Sequence, residues 1–373
     1  MKVVAAIDSF KGSMTSMEAG NAVKKGILAA KPDAEVWLSP LADGGEGTVD
    51  ALIEGLGAEK IPVTVAGPLG EKVSCYYGFL EETKTAVMEM ASAAGITLVT
   101  KKDPLRASTY GVGEMIADAL KRGCKNFMIG IGGSATNDGG IGMLKALGFE
   151  FFDEDGNDVG EGAAALAKIE VIRTENKNPL LSGAKFQIAC DVKNPLCGKQ
   201  GATYIFGSQK GVTEEQKDQI DEAMRHYADV TKESLGCDFA DCEGAGAAGG
   251  LGYAFLSYLA GELIPGVELI LHATGLEEKM KNADVVVTGE GRLDAQTVMG
   301  KAPAGVAALA KKYNAKVIAF AGSVASEAKV CNRAGIDAFF PIVRGVTTLE
   351  EAMKKENAME NIAATAEQVF RLL

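Results

Sequence analysis

The sequence predicts an α/β protein of two domains, one of them with a parallel sheet built from both ends of the chain. Two continuous apolar runs, Val3 to Ile7 and Asp284 to Thr288, are typical of strands buried on both faces of a parallel sheet. From Lys60 onward, apolar and polar residues alternate, which is typical of antiparallel strands with one exposed face. A length of 373 residues also favours two domains over one.

The predicted domain limits follow from this change of pattern. Residues 1–60 and 280–373 are expected to form the parallel α/β domain, and residues 61–279 an inserted second α/β domain. Ligands of parallel α/β sheets bind beyond the carboxyl ends of the strands. We therefore expect the active site in the cleft between the two domains, where polar loops from both would meet.

Helices and strands alternate along the first domain. Thr15 and Glu18 fit a capping box that opens a helix with an apolar face from Ala19 to Ala30. The other elements predicted for this domain are a strand at Glu35–Leu38, a helix at about Glu46–Glu54, a helix at about Ala302–Tyr313, strands at Lys316–Ala321 and Ala338–Val343, and two final amphipathic helices. Four stretches are expected as loops after strands: Asp8–Ser13, Ala42–Thr48, Gly289–Asp294 and Gly322–Ser323.

The segment from Phe127 to Leu147 is the most distinctive part of the inserted domain. It reads as a strand, a polar loop rich in glycine, and a short apolar helix from Ile141 to Leu147. Glycine lets a ligand approach the backbone closely, and N–H groups at a loop-to-helix junction favour an anion. The loop therefore predicts a phosphate site, with candidate residues Gly132, Gly133, Ser134, Asn137 and Asp138. A second glycine-rich stretch, Gly244–Gly252, contributes Gly246 and Gly249.

Two familiar nucleotide motifs are rejected. Gly130, Gly132 and Ala135 match the dinucleotide fingerprint, but the helix that should follow is interrupted by Asn137, Asp138 and three glycines. No Walker A motif is present, because Gly300-Lys301 lacks the upstream glycine and is followed by alanine. The HRD and DFG motifs of protein kinases are absent as well.

Amino-acid composition limits the classes of molecule that the protein is expected to bind. The formal net charge of −12 disfavours binding to nucleic acid and to anionic membranes. An anionic substrate would therefore need local positive charge, from lysines or a metal ion, at its binding site. Seven scattered cysteines without a CxxC motif favour a reduced, cytoplasmic protein. Cys237 and Cys242 remain an alternative disulfide or metal pair. The first apolar run is too short for a signal peptide or a membrane span.

Seven motifs together resemble the bacterial glycerate kinase family, of the type that includes the glycerate 2-kinases. They span nearly the whole chain and read DSFKGS (8–13), PLADGGEGT (40–48), STYGVGE (108–114), GIGGSATNDGG (130–140), CDVKNPLCGKQGA (190–202), GAGAAGGLG (244–252) and TGEGRLDAQTVMGKAP (288–303). One departure is Ser208, where the family usually has proline. The resemblance implies a flavodoxin-like domain with an inserted α/β domain, and ATP-dependent phosphorylation of D-glycerate with Mg²⁺, typically to 2-phosphoglycerate.

Roles for individual residues are hypotheses built on that activity. Lys11, with Asp8 and Ser9 of its loop, would bind the substrate carboxylate or the transferring phosphate, and glycines of the two loops would hold ATP phosphates. Glu290 and Asp294 would bind Mg²⁺, and Lys301 is a further phosphate ligand. Asp191 is the predicted base for the attacking hydroxyl, and Asp43 is the second candidate. Domain closure would exclude water.

Two other functions stay open at this point. A kinase of another small hydroxy acid or sugar acid would share the phosphate machinery. A non-catalytic nucleotide-binding protein would not need several carboxylates in its loops, and this chain has them. The sequence leaves open which hydroxyl is phosphorylated and whether the protein is a homo-oligomer.

Overall fold

A computed structural model describes residues 1–41 and 48–373, which fall into two compact units. The first contains residues 1–41, 50–58 and 267–373, and the second contains residues 48–49 and 59–266. The limits predicted from the sequence, at 60/61 and 279/280, stay predictions. The two compact units divide at 58/59 and 266/267, so residues 267–279 belong to the first unit. Asp43, Glu46 and most of the predicted 42–48 loop lie outside the described residues.

Strands and helices alternate along much of both described ranges. The strands are β1 Lys2–Ile7, β2 Glu35–Pro40, β3 Glu59–Ala66, β4 Lys72–Leu80, β5 Thr85–Glu89, β6 Asn126–Gly130, β7 Glu150–Phe152, β8 Val171–Arg173, β9 Lys185–Ala189, β10 Glu262–Ile264, β11 Val285–Leu293, β12 Lys316–Val324 and β13 Ala338–Pro341. The helices are α1 Ser16–Ala30, α2 Thr48–Leu56, α3 Ala91–Ala94, α4 Tyr110–Lys121, α5 Ile141–Ala146, α6 Ala163–Leu166, α7 Ala202–Phe206, α8 Glu214–Leu235, α9 Leu251–Leu259, α10 Gly266–Ala273, α11 Leu276–Met280, α12 Ala302–Lys312, α13 Val330–Arg333, α14 Leu349–Met353 and α15 Lys355–Arg371.

The first unit is built on a wholly parallel sheet in the order β13-β12-β11-β1-β2. This is the flavodoxin-like order, with the switch of direction between β1 and β11. Successive residues of the central strands are buried on opposite faces, because helices cover the sheet on both sides. Residues from Val3 to Ile7 on one face pack with α1 and α15 in one apolar core. The α/β fold class predicted from the buried runs is confirmed.

The helix cap predicted for the first unit is present, whereas two of its predicted loops differ in the structure. Thr15 and Glu18 form the predicted capping box at the start of α1. The expected loops after β11 and β12 are wrong in part, because both strands continue: Glu290 pairs with Ala321 and Arg292 with Ser323. Glycine makes this continuation possible, since a Cβ at Gly322 would lie 2.6 Å from the carbonyl oxygen of Gly291.

The second unit contains a mixed sheet in the order β10-β9-β6-β5-β4-β3. The neighbours from β10 to β5 are parallel, whereas β5-β4-β3 form an antiparallel meander, as the alternation after Lys60 predicted. The loop predicted for ligand binding follows β6, and α5 begins at Ile141 as expected. A large apolar core lies under this sheet and includes Phe127, Ile129 and Phe255.

Close packing of α1 against α15 generates the first prediction. A Cβ at Gly26 would lie 2.0 Å from the carbonyl oxygen of Ala363, so Gly26→Ala should force the two helices apart and lower the free energy of unfolding by about 1–3 kcal/mol. Gly20 lies in the same helix, but its added Cβ would meet only Leu38 at an ordinary 3.5 Å. Gly20→Ala is the matched control and should gain up to about 1 kcal/mol from helix propensity. Urea denaturation compares them, and equal effects would contradict the packing argument.

Candidate functional site

A pocket of about 720 Å³ opens in the first unit, at the carboxyl edge of its parallel sheet. It joins the loop after β1 to the ends of β11 and β12 and to α14. The residues that line it are Asp8, Ser9, Phe10, Lys11, Ser13, Glu290, Gly291, Arg292, Lys301, Gly322, Ser323, Ile342, Val343, Thr347, Thr348, Leu349, Ala352, Met353, Ala358 and Asn361. Five residues predicted from the sequence, Asp8, Ser9, Lys11, Glu290 and Lys301, are thus brought together within one unit.

The loop after β1 holds Lys11 at the tip of a tight turn. Phe10 and Met14 pair by backbone hydrogen bonds, and both side chains are buried in the core of the unit. Gly12 has φ of +77°, a conformation that glycine adopts without strain. Lys11 is exposed between these anchors. The turn therefore offers an ammonium group on a firmly attached backbone.

Ser16 ties this edge of the sheet together. Its hydroxyl donates to the carbonyl of Ile7 at 2.6 Å and accepts from the N–H of Leu41 at 2.9 Å. Asp8 continues the link to β11, because its N–H donates to the carbonyl of Gly289 at 2.9 Å. The carboxyl ends of β1, β2 and β11 are consequently held by direct hydrogen bonds.

Glu290 is the buried carboxylate of the pocket. Thr297 donates its hydroxyl to Oε1 at 2.6 Å, and the Lys301 ammonium lies 3.6 Å from Oε2. Burial raises the pKa of Glu290, which the Thr297 hydrogen bond and Lys301 oppose, and the nearby Asp294 carboxylate adds to the rise. The position of this carboxylate is thus set by a hydroxyl and a cation together.

Asp294 lies beside this group and is held by its own turn. Its Oδ1 accepts from the N–H of Gln296 at 2.9 Å, and its Oδ2 lies 3.5 Å from Nε of Arg292. Its N–H donates to the Thr297 hydroxyl, which in turn donates to Glu290, so Thr297 links the backbone of Asp294 to the Glu290 carboxylate.

The two carboxylates fit one mode of Mg²⁺ binding. Magnesium takes one or two protein carboxylates and completes its octahedron with phosphate oxygens and water. Glu290 and Asp294 would supply two such carboxylates. Lys301 lies beside the first and Arg292 beside the second, where both cations could also bind phosphate. Within residues 1–41 and 48–373, no group of three or more His, Cys, Asp or Glu side chains is arranged around a metal position, so an all-protein cage is not formed there.

The glycine-rich loops of the second unit pack against each other. The N–H of Gly139 donates to the carbonyl of Gly249 at 2.9 Å, and a Cβ at Gly249 would lie 2.2 Å from the carbonyl oxygen of Thr136. A Cβ at Gly250 would likewise meet Cα of Gly139 at 2.7 Å. Gly246 is buried, and its N–H donates to the carbonyl of Asn194. Several glycines expected to face phosphate are therefore required by loop-to-loop contact.

Asp138 is fully buried and is used as a helix cap. It accepts from the N–H and hydroxyl of Thr109, both at 2.8 Å, and from the N–H groups of Gly140 and Gly142 at 3.1 and 3.3 Å. Burial raises its pKa, while these donors oppose the rise. This environment favours a structural role for Asp138. Gly132 and Gly133 are the exposed part of the loop, and Ser134 is largely buried.

Lys210 and Asn137 complete a buried polar cluster around this loop. The Lys210 ammonium donates to the carbonyl of Thr136 at 2.7 Å, and Nδ2 of Asn137 donates to the hydroxyl of Thr203 at 3.0 Å. Burial lowers the pKa of Lys210 to about 7, and the charge of Asp138 opposes the shift. Both buried hydrogen bonds therefore stabilise the 130–140 loop from its interior side.

Asp191 follows β9 and is exposed. Its Oδ1 accepts from the N–H of Gly266 at 2.9 Å, which fixes the carboxylate at the carboxyl end of the strand. The carboxylate is accessible to a bound substrate, and its catalytic role stays a prediction. Asp43, the second candidate, lies outside the described residues.

Three residues of this region are not among those predicted from the sequence. Arg292 lies within the GEGRLDAQT motif and lines the pocket, and the carboxylates beside it in the sequence are a usable signal. Thr297, in the same motif, links the backbone of Asp294 to the Glu290 carboxylate. Leu349 had no signal, because its place at the pocket depends on the packing of the C-terminal helices.

The fold and the pocket define a class: a flavodoxin-like α/β protein with a pocket at the carboxyl edge of its sheet that is lined by three cations and two carboxylates. A family model, described as the glycerate kinase family, matches residues 3–373. The chain is 45% identical to the glycerate kinase of Bacillus subtilis, over 99% of this chain and 97% of that protein. It is also 45% identical to the glycerate 2-kinase of Escherichia coli, over 98% of each chain.

A solved structure agrees with these relatives. A crystal structure that carries the name glycerate kinase 2, from Salmonella typhimurium LT2, matches with a TM-score of 0.92 and 42% identity, over 99% of this chain and 97% of that one. The chain belongs to the glycerate kinase family. The predictions of an enzyme and of a kinase are thereby confirmed.

Two further sequence expectations can be compared with the structure. The seven cysteines are all free thiols, so Cys237 and Cys242 do not form a disulfide. No helix among the described residues has the length and apolar character needed to cross a bilayer.

The buried lysine generates the second prediction. Between pH 7 and about 10.5, unfolded chains hold the Lys210 proton and folded chains do not, so this residue makes stability rise with pH in that window. Its contribution to the slope approaches about 1.4 kcal/mol per pH unit. Lys210→Met should remove that contribution, measured by urea denaturation between pH 7 and 8.5. Lys193→Met, at an exposed site, is the control and should keep the slope. Equal slopes in all three proteins would show that Lys210 titrates as an ordinary lysine.

Proposed function

We propose that this protein transfers the γ-phosphoryl group of ATP to D-glycerate, with Mg²⁺, and that the product is 2-phosphoglycerate. The observation that carries the proposal is the gathering of Lys11, Arg292 and Lys301 around one pocket of an otherwise acidic chain. Phosphoryl transfer depends mainly on positioning and on stabilisation of charge. Membership of the glycerate kinase family supports both the reaction and the acceptor.

The reaction balances without a covalent enzyme intermediate. A hydroxyl oxygen of glycerate forms a bond to the γ-phosphorus, the bond from that phosphorus to the bridging oxygen breaks, and ADP leaves with the electron pair. The hydroxyl proton passes to a carboxylate, for which Asp191 is the first candidate. Three cations of the pocket would stabilise the negative charge on the transferring oxygens.

The carboxylate pair Glu290 and Asp294 would hold the metal. Glu290 is fixed by Thr297, and Asp294 by the turn to Gln296, so both oxygens would meet an ion with little rearrangement. When bound, Mg²⁺ would neutralise phosphate charge and orient the oxygens for in-line transfer. Lys301 would then move from the Glu290 carboxylate to phosphate, because it lies at the long distance of 3.6 Å and is partly exposed.

The third prediction is the activity itself. Purified protein with ATP, Mg²⁺ and D-glycerate should release ADP and form 2-phosphoglycerate, identified by phosphorus NMR. Chelation of Mg²⁺ with EDTA should abolish turnover, and added Mg²⁺ should restore it. L-glycerate, glycolate and sugar acids are the parallel acceptors, and a larger kcat/KM for one of them would replace D-glycerate in the proposal. No ADP release above background with any acceptor would refute it.

The fourth prediction concerns the base. Asp191→Asn should lower kcat by about 10²–10⁴-fold with a much smaller change in the KM for ATP, because an amide accepts the hydroxyl proton poorly. Asp241→Asn is the matched control, since Asp241 is another exposed aspartate of the second unit. Steady-state kinetics with D-glycerate measure both variants. Near-normal kcat in Asp191→Asn would remove it from this role and leave Asp43 as the candidate.

A further inference from the structure

We propose that the pocket of the first unit is the nucleotide site, with the nucleoside against its apolar half and the phosphates at its basic half. This assignment rests on the proposed function and deepens it, because it says which substrate the pocket takes. The glycine-rich loops of the second unit were the sequence-based candidates for ATP phosphates, so the proposal moves the nucleotide to a different part of the chain.

The volume of the pocket favours the larger substrate. Its 720 Å³ lies in the range of cavities that bury cofactor-sized molecules. Glycerate, a three-carbon acid, would leave most of this volume to water and would gain nothing from the apolar wall. A nucleoside triphosphate is long enough to fill the pocket, and it carries both charged phosphates and an apolar ring.

The lining divides by chemistry in the way that a nucleotide does. One group is polar and charged: the hydroxyls of Ser9, Ser13 and Ser323 and the cations Lys11, Arg292 and Lys301, beside the carboxylates Asp8 and Glu290. The other group comes from the end of the first sheet and from α14 and is mainly apolar, with Ile342, Val343, Leu349, Ala352 and Met353 beside the hydroxyls of Thr347 and Thr348. Phosphate oxygens would accept hydrogen bonds from the first group, and a flat purine ring would pack against the second.

Exposed apolar side chains mark the second part as a surface that a ligand covers. Leu349 is 76% exposed and Met353 is exposed, although both line the pocket. Val346, at the rim of an adjoining pocket, is fully exposed as well. Single exposed apolar residues are ordinary, but a group of three within eight positions beside a cavity indicates a binding surface.

A polar group on the same wall suits the edge of a purine. Asn361 lines the pocket, and its Oδ1 accepts from Nε of Arg344 at 3.1 Å. This hydrogen bond orients the amide so that its N–H groups serve as donors, and purine ring nitrogens are acceptors. An apolar wall with few polar groups is the usual composition of such sites.

Several backbone amides of the alternative phosphate loops already donate to acceptors within the protein. In the second unit, the N–H groups of Gly139, Gly140, Gly142 and Gly246 already donate to protein acceptors. The same loops pack so closely that a Cβ on Gly249 would collide with Thr136. Within the described residues, this internal bonding leaves Gly132 and Gly133 as the exposed glycines of the 130–140 loop, and it favours the pocket of the first unit for the triphosphate.

The fifth prediction compares two exposed leucines. Leu349→Ala removes apolar surface that the purine would cover, and should raise both the KM for ATP and the Kd for a fluorescent N-methylanthraniloyl ADP about tenfold, with the KM for D-glycerate unchanged within about twofold. Leu372→Ala is the matched control, because Leu372 is 85% exposed and does not line the pocket. It should leave all three constants unchanged, and neither variant loses buried packing.

The binding titration keeps this inference separate from the proposed function. If the unaltered protein does not phosphorylate D-glycerate but binds the ADP analogue, and Leu349→Ala weakens that binding, the proposed reaction fails and the nucleotide assignment stands. If Leu349→Ala instead raises the KM for D-glycerate with unchanged nucleotide binding, the pocket is the acid site and the inference is overturned. Unchanged constants in Leu349→Ala, or no binding of the ADP analogue to the unaltered protein, overturn it as well.

Discussion

The pairing of β1 with β11 is the constraint on which the first unit depends. It joins strands from opposite ends of the chain: the N–H of Lys2 donates to the Asp284 carboxylate across 282 positions, and Val3 lies beside Val285. Closing a loop of that length costs conformational entropy that only the buried sheet can offset. The same pairing brings Asp8 next to Gly289, so the step that completes the core also assembles the pocket edge.

Glycine-rich sequence serves two different physical purposes in this chain. Gly12, Gly291 and Gly322 shape the edge of the pocket, where the backbone must turn sharply or approach another strand. In the second unit, Gly139, Gly249 and their neighbours allow two loops to touch and to share hydrogen bonds. Composition is the same in both cases. Only burial and the direction of the N–H groups separate a ligand loop from a packing loop.

The distribution of charge around the pocket differs from the net charge of the chain. The chain carries −12, yet the pocket of the first unit collects Lys11, Arg292 and Lys301 around Asp8 and Glu290. The pairs Lys301–Glu290 and Arg292–Asp294 are both long, at 3.6 and 3.5 Å, so each cation keeps its capacity for a stronger anionic partner. Thr297 holds the Glu290 carboxylate against the backbone of Asp294 through its hydroxyl.

Sequence alone was enough to predict the fold class, the capping box at Thr15 and Glu18, the antiparallel start of the inserted segment and the family, because these depend on local periodicity and contiguous motifs. It also pointed to Asp8, Lys11, Glu290 and Lys301, since polar residues after buried parallel strands meet at one edge. It could not tell that Asp138 faces inward, because a loop aspartate has the same neighbours in sequence whether it binds a ligand or caps a helix. The folded structure was needed to place Asp138 in the interior and Leu349 at the pocket. Both outcomes depend on contacts between segments far apart in the chain: Asp138 with Thr109, and α14 with the loop after β1.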